Sequence, residues 1–151
     1  MSDLYDEDFV LWSEQQAGLL RRRASGELIN EAELDWTHIA EELEAVGSNT
    51  RRELRNRLMR LLQHLLKWQY QPELRSRSWR STIRTQRNEI GDLLGDNPSL
   101  VARLPELFIA AYQRARTEAM EETGLLSLPD VPPFTIDDAL YAYSLEPHPE
   151  D

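Results

Sequence analysis

Between Thr50 and Gln71 leucine recurs at steps of three and four. Leu54, Leu58, Leu61 and Leu65 form a line that Trp68 extends, and Leu62 and Leu66 widen it. No proline or glycine interrupts this stretch. A strand alternates its faces every second residue, so the pattern fits only a helix with one broad apolar face. Such a helix is about 33 Å long at 1.5 Å per residue, and its face requires several partners. Usage elsewhere agrees, with 24 Leu and 12 Ala against 4 Val, a bias toward helices over sheets.

The same periodicity predicts further helices. One spans roughly Asp6 to Ala24, where Phe9, Trp12, Gln16, Leu19 and Leu20 share a stripe and Arg21-Arg22-Arg23 suits the helix C-terminus. Another runs from about Glu31 to Val46, with Asn30 and Glu33 as a capping box and Ala32, Trp36, Ile39, Leu43 and Val46 on one face. Gly47-Ser48-Asn49 then reads as a tight turn, so this helix and the leucine helix are expected to form an antiparallel hairpin. In that register Asp35 approaches Arg60, His38 lies near Arg57 and His64 near Glu31. A fourth helix is expected from Ser78 to Gly95, and a fifth after Pro105, ending at Gly124. Thr135 with Asp138 caps a short last helix through Tyr143. The expected fold is an all-α bundle of four to five helices, one domain over 1–145, with 146–151 a disordered tail. Trp36, Trp68 and Trp79 are expected in its core.

Several function classes fall away on composition. With 151 residues the chain is the size of one domain and needs no covalent staple. It has no cysteine, which excludes disulfides, thiolate nucleophiles and zinc–thiolate sites. Its longest apolar run, Leu107 to Tyr112, is far short of the roughly 20 residues that span a bilayer. The acidic start, Met1-Ser2-Asp3-Leu4-Tyr5-Asp6, is unlike a signal peptide. A cytoplasmic location and no membrane partner are therefore expected.

Charge is segregated. Residues 1–47 carry a net −9, residues 48–90 a net +8, and residues 91–151 a net −9. All but one of the cations are arginine. His64, Lys67 and Gln71 fall on one outer side of the leucine helix with Arg57 and Arg60, and Arg80, Arg84 and Arg87 on one side of the next. With Arg75 between the helices and Gln86 on the apolar line of the fourth, these residues are the candidate ligand or partner surface. Two readings compete: a cationic nucleic-acid surface, or cations paired with the acidic flanks, which the charge balance favours. Gln86, buried by its position, needs a hydrogen-bond partner, expected near Gln71 or Arg75.

Three enzyme signatures are partial. Asp35, His38 and Glu42 lie on one side of a helix, a weak divalent-metal set. Glu41-Glu42-Leu43-Glu44 approaches the acidic motif of helical nucleotide pyrophosphohydrolases but is one residue short and lacks a downstream Glu-x-x-Asp. Arg57 and His64 match the Arg-x(4–6)-His spacing of HEPN ribonucleases, where arginine holds phosphate and histidine moves a proton. Ser76 and Ser78 read as helix caps rather than nucleophiles.

The segments His64-Leu65-Leu66-Lys67-Trp68-Gln69-Tyr70-Gln71-Pro72, Arg75-Ser76-Arg77-Ser78-Trp79 and Thr82-Ile83-Arg84-Thr85-Gln86-Arg87 resemble the bacterial family catalogued as domain of unknown function 29. Tyr5-Asp6-Glu7-Asp8-Phe9 with Trp12, Glu41-Glu42-Leu43-Glu44, Pro98-Ser99-Leu100, and Ala115-Arg116 through Glu122-Thr123-Gly124-Leu125 fit as well. The resemblance covers nearly the whole chain. It implies a compact all-α bacterial protein and no particular activity. One departure is that Pro132-Pro133-Phe134 stands where the family has a Cys-Pro pair. No cofactor is expected. The leading expectation is a non-enzymatic interaction or regulatory module whose partner is another protein or a second copy. Nucleic-acid binding through 48–90 comes next, then a metal-dependent or HEPN-like hydrolase.

Overall fold

The computed structural model describes residues 3–142. The expected tail at 146–151, and Tyr143 at the end of the last helix, lie outside these residues. Helices are α1 (Leu4–Glu7), α2 (Phe9–Ala24), α3 (Trp36–Tyr70), α4 (Arg77–Asp96) and α5 (Leu104–Thr123), with no strand among the described residues. The fold is all-α. By internal contacts the chain divides into two compact units, Met1–Asn49 and Thr50–Asp151.

The expected hairpin is not formed. Residues 36–70 make one continuous helix, and Gly47-Ser48-Asn49 lies inside it. Gly47 is not among the glycines with positive φ. A glycine inside a helix costs only about 1 kcal/mol relative to alanine. The turns on either side, rich in Glu, Leu, Ala and Arg, outweigh that, and no proline enforces a break. Where glycine does end a helix here its backbone is left-handed, as at Gly124 (φ 73°) after α5. The start of α3 also differs from expectation. Asn30 caps only a short 3-10 turn, Glu31–Glu33. Asp35 then starts the long helix, its Oδ1 accepting from the His38 backbone N–H at 3.3 Å. The first helix is likewise split, with Asp8 capping α2 through the Leu11 N–H.

In the second unit the leucine stripe behaves as its spacing demands. Leu54, Leu58, Leu61, Leu62, Leu65 and Leu66 are all 0% exposed, packed with Ile83 and Ile90 of α4 and with Phe108, Ala111, Tyr112 and Ala115 of α5. Each buried leucine contributes roughly 1.5–3 kcal/mol of transfer free energy. Ser76 caps α4 by accepting from the Trp79 N–H at 3.1 Å. A 3-10 turn, Pro98–Arg103, leads into α5. The following strap is pinned to α5 by its carbonyls: Tyr112 donates to Pro129, Arg116 to Leu128 and Gln113 to Asp130. Phe134 is buried edge-on against Tyr112. Thr135 and Asp138 cap each other's backbone ahead of a short π-helical turn, Asp138–Ala142.

The first unit is built otherwise. Only Trp12, Gln16 and Leu34 are buried among its described residues. Trp36, expected in the core, is 56% exposed, and Leu43 and Val46 are 70% and 65% exposed.

Candidate functional site

Two constellations stand out, one in each unit. In the first unit, Asp35 gathers three donors. Its Oδ2 accepts from Trp12 Nε1 at 3.0 Å and from His38 Nδ1 at 2.6 Å, and Oδ1 takes the His38 N–H. Gln16 fastens the same turn, donating to the Glu33 carbonyl at 3.1 Å and accepting from the Asp35 N–H at 2.8 Å. The Tyr5 ring stacks on His38 with centroids 3.8 Å apart, and its hydroxyl donates to Glu42. That bond to Glu42 is the main cause pushing the Tyr5 phenol up to about 12. Desolvation alone would raise the Asp35 carboxyl, but hydrogen bonds from His38 and Trp12 outweigh it and hold it low. Asp35 in turn raises the His38 imidazole.

Asp35 and His38 are thus brought together, as their spacing suggested, while Glu42 is engaged by Tyr5. Asp3 takes the third place instead: its Oδ2 lies 3.5 Å from His38 Nδ1. Asp3, Asp35 and His38 are the described residues whose ligand atoms converge enough to hold a metal ion, all within 4.8 Å of one another. Sequence reasoning missed Asp3, Tyr5 and Gln16 as members of this cluster. The available signal was Gln16, a polar side chain on an otherwise apolar line. Beside the cluster, between α2 and the first turns of α3, an apolar groove of about 200 Å³ is lined by Trp12, Ala17, Leu20, Ile39, Leu43 and Val46 among others.

In the second unit the expected surface residues separate. Arg75 and Arg80 both lie over the Trp68 ring, at 5.1 and 5.5 Å from its centroid. Arg75 also donates from Nε to the Trp68 carbonyl at 2.8 Å. Arg84 is exposed on the same side of α4. Lys67 was expected on an outer face but is 5% exposed, because Glu122 of α5 binds its ammonium at 3.0 Å and the Trp79 ring covers it. Gln86 is buried as expected, but its partner is Arg57, at 3.3 Å, rather than the Gln71 or Arg75 region. Arg87 reaches the carbonyls of Ala139 and Asp138. Gln71 closes α3, its N–H on the Lys67 carbonyl. His64 turns Nδ1 to the Arg60 carbonyl at 2.9 Å, and burial lowers its pKa. Arg57, the other half of the ribonuclease-like pair, is held by Glu53 and Gln86, with Glu89 at 3.8 Å.

The favoured pairing of the central cations with the acidic flanks holds for Lys67 with Glu122, but not for Arg77, Arg80 and Arg84 of α4. Among the described residues, Arg77, Arg80 and Arg84 have no carboxylate within ion-pair distance, and Arg80 Nε is buried without a hydrogen-bond partner. No helix among the described residues is long and apolar enough to cross a membrane.

Fold and sites together define an all-α protein with a closed leucine core and an open aromatic–carboxylate unit. The chain belongs to the family described as Domain of unknown function DUF29, whose model matches residues 4–143. No curated protein and no solved structure matches the chain.

Proposed function

We propose that this chain is a non-enzymatic interaction module that receives an amphipathic helix in the apolar groove of its first unit. The observation that carries the reading is the groove between α2 and α3, where Leu43 and Val46 stand largely exposed beside Ile39, Leu20 and Trp12. Helix-in-groove docking needs such an apolar trough. Charge selects the occupant: the unit Met1–Asn49 carries a net −9, so a helix with lysine or arginine flanking its apolar stripe is favoured. A second copy is a poorer occupant, because α4, the basic helix of this chain, already buries its own stripe at Ile83, Ile90 and Leu94.

A fluorescently labelled 18-residue Leu/Lys amphipathic helix tests this by anisotropy. The expected result is saturable one-to-one binding. L43S/V46S should weaken it at least tenfold while leaving the melting temperature unchanged. A scrambled peptide of the same charge should not saturate. Equal binding of the scrambled peptide, or indifference to L43S/V46S, overturns the reading. A dimer of the unliganded protein that L43S/V46S dissolves would make the occupant a second copy and overturn it too.

A further inference from the structure

We infer that the N-terminal half of α4 carries a binding site for a small diphosphate, whether inorganic or the tail of a larger molecule. The inference rests on residues of the second unit and is independent of the groove. Two adjoining cavities carry it. The first, about 390 Å³, lies among Trp68, Glu73, Arg75, Ser76, Arg77 and Arg80. The second, about 350 Å³, lies farther along α4 among Arg77, Arg80, Ser81, Arg84, Thr85 and Asn88. Both are in the size range of small-ligand sites. Arg77 and Arg80 line both, so a single pair of guanidiniums can bridge two phosphates.

The side chains are suited to anions. Residues 77, 80 and 84 recur at steps of three and four and so share one face of α4. Arg80 presents a buried Nε with no acceptor. Its stacking on Trp68, beside Arg75, fixes its plane in advance. A guanidinium so held loses little freedom on forming a forked pair with phosphate. Ser81, Thr85 and Asn88 add neutral donors. Glu73 is the one carboxylate among the described residues that line the two cavities; against Arg77, Arg80 and Arg84 it leaves an excess of two positive charges. A ligand with two or three negative charges neutralises that excess.

The same geometry disfavours a nucleic-acid strand. Base stacking needs an open aromatic face, and both Arg75 and Arg80 already cover Trp68, which is 3% exposed. The net charge of −10 opposes a long polyanion as well.

Calorimetric titration with sodium pyrophosphate at fixed ionic strength is the test, using the full chain. Saturable binding to a single site is expected, with orthophosphate at least tenfold weaker. Arg77→Gln, an exposed change, should weaken pyrophosphate at least tenfold with an unchanged melting temperature, and Arg80→Lys should also weaken it. Titration with ADP separates the sources: tighter binding than pyrophosphate assigns the diphosphate to a nucleotide, equal binding to the bare anion, and both support the site. Absence of saturation by either probe, or an Arg77→Gln protein that binds as the parent does, overturns the inference. So does tight binding of a labelled single-stranded RNA that pyrophosphate fails to displace.

Discussion

The two units solve the same problem, covering one face of a helix, by different physics. In Thr50–Asp151 the face is leucine against leucine, isoleucine and aromatic rings, and six leucines of α3 lose all contact with water. In Met1–Asn49 the helices are joined by directional bonds. Trp12 and His38 converge on Asp35, Gln16 bridges Glu33 and Asp35, and Tyr5 ties itself to Glu42 and the His38 ring. An apolar core is non-directional and scales with buried area. A polar network fixes geometry while leaving apolar surface outside it. That surface, at Leu43 and Val46, is what makes the first unit the candidate for docking.

The contrast is most directly broken by matched truncations. Leu61→Ala removes a fully buried side chain, and should cost roughly 2–5 kcal/mol through lost transfer energy and the cavity left behind. Leu43→Ala makes the same chemical change at a 70% exposed position, and should stay within about 0.5 kcal/mol. Urea denaturation of both variants measures the gap. Comparable losses would show that Leu43 is covered in solution and that the first unit has an apolar core after all.

A smaller effect sharpens where one unit gives way to the next. Gly47 lies inside α3, its φ is not positive, and a Cβ added there meets nothing within 4 Å. Gly47→Ala should therefore stabilise the protein by about 0.5–1 kcal/mol, from the entropy of the unfolded chain and the better helix propensity. A left-handed turn at this position would reverse the sign. Thermal unfolding of the single variant thus decides between the continuous helix and the hairpin.

What was legible in the sequence follows the same division. The leucine line of α3, the Ser76 cap, the Gly124 stop and the Thr135–Asp138 cap were all readable, because each is set by neighbours three or four residues away. Gly47 misled because a glycine near Ser and Asn has the composition of a turn, and only the strength of the flanking helix decides otherwise. Trp36, Leu43 and Val46 have core periodicity, but nothing local reports whether a second surface exists to cover them. The burial of Lys67 depends on Glu122, 55 residues away. Arg75 and Arg80 could be named as candidates, but their meeting on Trp68 required the tertiary arrangement. Asp3 joins His38 and Asp35 across more than thirty residues, with no spacing rule to reveal it.

The smallest effects concern the two histidines, one in each unit, which should respond to pH with opposite sign. His38 faces Asp35, Asp3 and Glu41, and its hydrogen bond to Asp35 raises its pKa in the folded state. The stability it lends is complete below its unfolded value, about 6.5, and is lost as pH rises through the raised value. His64 is desolvated, with Lys67 and Arg60 reinforcing the downward shift while the Arg60 carbonyl and Glu122 oppose it. Its contribution is complete above that unfolded value and is lost as pH falls toward the lowered one. His38→Gln should therefore cost most below the ordinary imidazole pKa of about 6.5, and progressively less as pH rises above it. His64→Gln should relieve the acid side, so its stability relative to the parent improves as pH drops. Hydrogen exchange read separately in α2 and α4 assigns each response to its unit. Profiles of the same sign in the two variants would mean that His38 is not held by Asp35 in solution, or that His64 is open to water.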